Sequence, residues 1–142
     1  MITHIRHVGI VVSDLEKSLK FYRDLLGFTV HKQAEETGSY LDQMLALEGV
    51  RVTTVKMKAP DGNLIELLNF ASHRRSHRSR ETCEVGITHF AVTVPDIDDA
   101  YQKLRAAGVV FNAPPQRSPD GYAKVTYCKD PDGSFVELVE VL

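Results

Sequence analysis

Over residues 3–12 apolar and polar side chains alternate and β-branched residues are frequent, a period-two pattern that predicts a strand. The period changes at Ser13-Asp14. Either residue can cap a helix whose apolar positions Leu15, Leu19, Tyr22, Leu25 and Leu26 recur at helical spacing, and Gly27 ends it. A second strand is predicted over 28–32. Two further strands, 50–57 and 64–70, flank Pro60-Asp61-Gly62 and so form a hairpin. The order then returns: a strand over 86–94, a helix over 96–107 stopped by Gly108, and a short strand over 109–111. It closes with a hairpin of 122–128 and 134–141 about Asp130-Pro131-Asp132-Gly133. Each half therefore reads as βαβββ, with a first module over 1–71, a basic linker over 72–85 and a second module over 86–142.

The repeat is also visible residue by residue. His7-Val8-Gly9-Ile10-Val11-Val12-Ser13-Asp14-Leu15 is answered 82 positions later by His89-Phe90-Ala91-Val92-Thr93-Val94-Pro95-Asp96-Ile97. The stretch from Pro60 to Leu67 is answered 71 positions later by Pro131 to Leu138, which matches Glu66 with Glu137. Strand alternation places His7 with Ile5, Gly9 and Val11, and His89 with Ile87, Ala91 and Thr93; Glu66 lies with Leu64 and Leu68, and Glu137 with Phe135 and Val139. Each is the ionisable exception on an otherwise apolar face, and an unpaired carboxylate there would cost several kcal/mol. One divalent cation held by His7, Glu66, His89 and Glu137 accounts for all four at once as a formally neutral set. Oxygen and imidazole donors without a thiolate suit Ni, Co, Mn or Zn.

The first module is longer between its His and Glu, 59 residues against 48. The difference predicts an inserted amphipathic helix over 39–48, either capping one end of the sheet or serving as a lid. As a lid it would bring Tyr40 and Met44 to the substrate pocket. Arg117, in an ordered loop over 114–121, is either an exposed loop residue or a further pocket residue. The run over 72–80 is strongly basic and reads as a solvated linker or a clamp for an anionic substrate tail.

Bulk properties exclude several classes. With 142 residues, 43% of them apolar, the chain can bury a core, and its net charge of −2 favours neither nucleic acid nor an anionic membrane. No apolar run approaches the roughly 20 residues needed to span a bilayer. The start lacks the pattern of a secretory signal. Cys83 and Cys128 have no CxxC spacing and form no disulfide framework, so a cytoplasmic, reduced protein is expected, with Cys128 a buried strand residue.

The His7-to-Leu15 opening with Phe21-Tyr22 and Leu26-Gly27-Phe28, together with Thr88-His89-Phe90-Ala91-Val92 and Asp130-Pro131-Asp132-Gly133 through Glu137-Leu138, resembles the vicinal oxygen chelate superfamily. That group contains glyoxalase I, methylmalonyl-CoA epimerase, extradiol dioxygenases and fosfomycin-resistance proteins. The resemblance implies an α+β fold of paired βαβββ modules, with mixed sheets curling around a metal-centred cavity, commonly in a homodimer that binds a small-molecule substrate. The filled set His7, Glu66, His89, Glu137 looks like glyoxalase I. The epimerases usually have Gln at the position of Glu66, and the dioxygenases, which would need Fe or Mn, have no metal-binding carboxylate there. Antibiotic-sequestering members lack the metal set. What the resemblance implies is a lactoylglutathione lyase-like enzyme that transfers a proton through an enediolate on a carbonyl or thioester substrate. Glu137 and Glu66 are its candidate catalytic carboxylates and Glu137 the assigned base. The alternatives are an epimerase, an extradiol-type dioxygenase or a small-molecule-sequestering binding protein. Two features of glyoxalase I are unmatched: Gly9-Ile10-Val11 stands where that enzyme has a glutathione-binding arginine, and Asn69 falls on the face opposite Glu66.

Overall fold

A computed structural model describes residues 1–73 and 81–142. The basic run predicted over 72–80 lies almost wholly outside the described residues. The chain divides into two compact units, Met1–His77 and Arg78–Leu142. The first holds β1 (Val8–Val11), α1 (Leu15–Leu19), β2 (Thr29–Thr37), α2 (Ser39–Leu45), β3 (Arg51–Lys58) and β4 (Leu64–Phe70). The second holds β5 (His89–Thr93), α3 (Ile97–Ala106), β6 (Gln116–Arg117), β7 (Ala123–Lys129) and β8 (Phe135–Val141). Each unit builds one four-stranded mixed sheet, in the orders β1-β4-β3-β2 and β5-β8-β7-β6. The fold is α+β, with paired βαβββ modules.

The sheets follow from turns and alternation. Gly62 and Gly133 adopt φ of 92° and 82°, which a residue with a side chain rarely tolerates, and so close the two Pro-Asp-Gly hairpins. Beyond those turns the inward-facing Val55, Met57, Ile65 and Leu67 are at most 4% exposed, as are Val136 and Leu138 in the second unit. In the first unit α1 lies against β4, and in the second α3 lies against β8. Each helix is capped as its sequence requires: Asp14 accepts from the Lys17 amide at 3.1 Å and Asp96 from the Asp99 amide at 2.9 Å.

Several boundaries differ from the sequence pattern. The first strand begins at Val8 rather than residue 3, because β4 starts at Leu64 and, among the described residues, no strand pairs with the chain ahead of the Val8–Ile65 register. The first helix keeps α geometry only to Leu19 and continues as a π-helix over Lys20–Leu25, where Leu26 donates to the Phe21 carbonyl at 3.0 Å. The wider turn lets the adjacent Phe21 and Tyr22 both enter the core, in edge contact at 4.9 Å. Strand β2 runs on to Thr37 along the whole of β3, with a register shift between Val30 and Lys32. Its polar sequence, exposed on an edge strand, hid that length. Residues 109–111 make only a single bridge, Phe111 to Cys128, and the paired strand is Gln116–Arg117, within the stretch expected to be a loop.

No helix among the described residues is long and apolar enough to cross a membrane. Cys83 is exposed, whereas Cys128 on β7 is fully buried and burial pushes its thiol up to about 12. A water-soluble disulfide reagent should therefore modify one thiol per chain in the folded protein and two after denaturation. Two reactive thiols before denaturation would contradict the packing of β7.

Candidate metal centre

In the first unit β1 and β4 run parallel with Gly9 opposite Glu66. His7 stands just before β1, two residues ahead of Gly9 and so on the face that Glu66 shares. The result is His7 Nε2 at 3.2 Å from Glu66 Oε2. The second unit repeats the construction: Ala91, another small residue, lies opposite Glu137, and His89 Nε2 is 3.2 Å from Glu137 Oε2. These side chains are partly sheltered, with Glu66 12% and Glu137 19% exposed. The structure thus brings the four predicted residues together as two pairs, one per unit. Among the described residues no three His, Cys, Asp or Glu side chains gather into one group.

Each pair suits a metal edge. With metal–donor distances of about 2.1 Å, neighbouring ligands at a right angle lie about 3 Å apart, close to the His–Glu separation in both units. The ligand chemistry, imidazole nitrogen with carboxylate oxygen, fits Zn or a similar divalent ion. His7 Nδ1 is buried without a hydrogen-bond partner, while His89 Nδ1 lies 2.9 Å from Thr88 Oγ1. The two imidazoles are therefore supported differently from behind.

Sequence reading missed the two side chains that flank the carboxylates. Residues equidistant from a hairpin turn face each other, so Lys56 opposes Glu66 across β3 and β4, and Tyr127 opposes Glu137 across β7 and β8. The Pro-Asp-Gly turns carried that signal. Lys56 Nζ lies 3.4 Å from Glu66 Oε1, on the oxygen that His7 does not approach. The Tyr127 ring meets His89 edge to face at 5.1 Å. Burial first, then the charge of Glu137 and a hydrogen bond to it, raise the Tyr127 hydroxyl above the ordinary phenol value.

Tyr40 and Met44 on α2 are 76% and 63% exposed, and no residue of α2 is buried. The helix ends at Leu45, short of residue 48, because Ala46 turns left-handed at φ 52° and the Asp42 carboxylate accepts from the Gly49 and Val50 amides. Of its apolar residues Leu41 is half-buried, and Tyr40, Met44 and Leu45 are exposed. Arg117 is exposed on β6. Asn69 donates to the Val12 and Ser13 carbonyls at 2.9 and 3.2 Å, which ties it to the backbone after β1. A cavity of about 460 Å³ in the second unit, between α3 and residues 109–114, includes none of the predicted site residues.

The chain belongs to the Glyoxalase/Bleomycin resistance protein/Dioxygenase superfamily, whose model matches residues 4–138. It is 34% identical to the uncharacterized protein YwkD of Bacillus subtilis (strain 168), over 99% of this chain and 98% of that protein. It is 31% identical to a lactoylglutathione lyase of Pseudomonas putida, over 94% of this chain and 83% of that enzyme. A glyoxalase family protein from Bacillus cereus shares its fold with a TM-score of 0.90 and 23% identity, covering 100% of this chain and 96% of that one.

The raised Tyr127 pKa has a measurable consequence. A group whose folded pKa lies above its unfolded value contributes stability that is complete below the unfolded value and is lost as pH rises through the folded one. Comparison of wild type with Tyr127→Phe by ultraviolet difference titration should show this phenol ionising above the ordinary value of 10.0. The stability gap between the two proteins should shrink over that same alkaline range. Ionisation of Tyr127 below the ordinary value would contradict its pairing with Glu137.

Proposed function

We propose that the chain is a divalent-metal-dependent lyase or isomerase of glyoxalase I type, acting in a homodimer on a small carbonyl or thioester substrate. In this reading His7, Glu66, His89 and Glu137 together hold one Ni, Co, Mn or Zn ion. The observation that carries it is the twice-built contact of a histidine Nε2 with a glutamate Oε2 at ligand-edge distance. Similarity over most of the chain to a lactoylglutathione lyase supports the same class.

When bound, the cation supplies Lewis acidity that polarises a substrate carbonyl and acidifies the neighbouring C–H. The chain's own groups divide the remaining work. Lys56 pairs with Glu66 at Oε1, the oxygen away from His7. Glu137 has a neutral phenol beside it instead, so it is the carboxylate able to accept the substrate proton and return it to an adjacent carbon. The Tyr127 hydroxyl orients Glu137 and stays protonated through the neutral range.

A second reading, an epimerase acting on a thioester, draws on one specific contact. Asn69 is committed to the Val12 and Ser13 carbonyls and is not available to a glutathione carboxylate, which favours a substrate other than glutathione. Metal-reconstituted protein, assayed in deuterium oxide with hemithioacetals and acyl thioesters, separates the two by net conversion against exchange at the α-carbon. For either reaction Glu137→Gln should lose about 10²–10⁴-fold in turnover, the usual contribution of a general base, with an unchanged circular dichroism spectrum. Wild-type turnover by that variant would contradict the role of Glu137.

A further inference from the structure

We propose that Lys56 selects the substrate's charge: it makes the centre a receptor for a monoanionic oxygen ligand, such as an α-hydroxy- or α-keto-carboxylate, over a neutral one. The inference rests on the metal reading above and adds a substrate class to it. Its basis is the inequality of the two units. At the positions facing Glu66 and Glu137, the first unit carries a cationic ammonium and the second a neutral phenol.

The charge inventory then decides what the centre accepts. Two glutamates balance a divalent cation and the imidazoles are neutral. The Lys56 ammonium, only 28% exposed and 3.4 Å from Glu66, is left as one positive charge beyond balance. Other charges on that sheet face do not cancel it. Lys32 stands opposite Lys56 in the ladder, is exposed, and adds positive charge rather than removing it. Glu36, farther along β2, is held by the Thr54 hydroxyl at 3.1 Å. Lys58, two residues along β3 on the same face, is exposed too, so Lys32 and Lys58 outweigh Glu36 and the Lys56 charge stays uncancelled. A partly sheltered excess charge is best satisfied by an anion that accepts a charge-assisted hydrogen bond. Because Lys56 approaches Oε1 while His7 approaches Oε2, the ammonium flanks the metal edge rather than occupying it.

The test uses full-length protein loaded with cobalt and follows the visible cobalt absorption during titration with glycolate and with glycolamide. These probes share a shape and differ in charge. The ratio of glycolate to glycolamide affinity should fall about tenfold in Lys56→Met, the size expected for one charge-assisted hydrogen bond. It should stay near the wild-type ratio in Lys56→Arg, and all three proteins should hold the same amount of cobalt. An unchanged ratio in Lys56→Met overturns the assignment while leaving the metal reading intact. Loss of cobalt from Lys56→Met also overturns it, by making Lys56 part of the cation's own support. A wild type that takes up no cobalt overturns the metal reading and this inference together.

Discussion

A carboxylate in the middle of a strand face must find a counter-charge, and this requirement organises both units. Glu66 and Glu137 each sit on a strand whose opposite face is packed into the core, so neither can turn away without unpacking its sheet. The parallel neighbour supplies the solution in the same way twice. A small residue stands opposite the glutamate, and a histidine one pleat earlier brings its Nε2 to 3.2 Å from the carboxylate, a pair poised for a shared cation. Fold and candidate chemistry are thus coupled through register. A shift of one residue between β1 and β4 would move the whole alternation to the wrong face and separate His7 from Glu66.

Much of this was legible in the chain because it depends on local signals. The helix caps, the Pro-Asp-Gly hairpins and the period-two strands are written in adjacent residues. The internal repeat fixes which histidine goes with which glutamate. What was not legible depends on partners distant in sequence. The early end of β1 is set by where β4 begins, and the length of β2 is set by β3 rather than by its own polar sequence. Lys56 and Tyr127 stand out only once each hairpin is folded and its cross-strand neighbours are counted from the turn. The segment over 39–48 was legible in part. Its helical pattern is genuine, but within its unit Tyr40, Met44 and Leu45 of α2 stay exposed and only Leu41 is half-buried.

The two halves repeat in backbone and diverge in chemistry. Each has a histidine, a glutamate and a small residue at matched places. One glutamate is braced by an ammonium and the other by a phenol. Duplication of a module gives a symmetric donor set, and divergence of the flanking residues places its two carboxylates in unequal surroundings. The family spans several reactions on one fold, so such flanking residues, rather than the donors themselves, are where specificity should be sought.

The central claim is that the two His–Glu pairs share a single ion. Metal content per chain, measured by mass spectrometry on wild type beside the double variants His7→Ala/Glu66→Ala and His89→Ala/Glu137→Ala, tests it most directly. A shared centre predicts about one Ni, Co, Mn or Zn per chain in wild type and almost none in either variant, since two remaining donors hold such an ion poorly. Two ions per chain with one lost from each variant, or no ion after reconstitution, would contradict it.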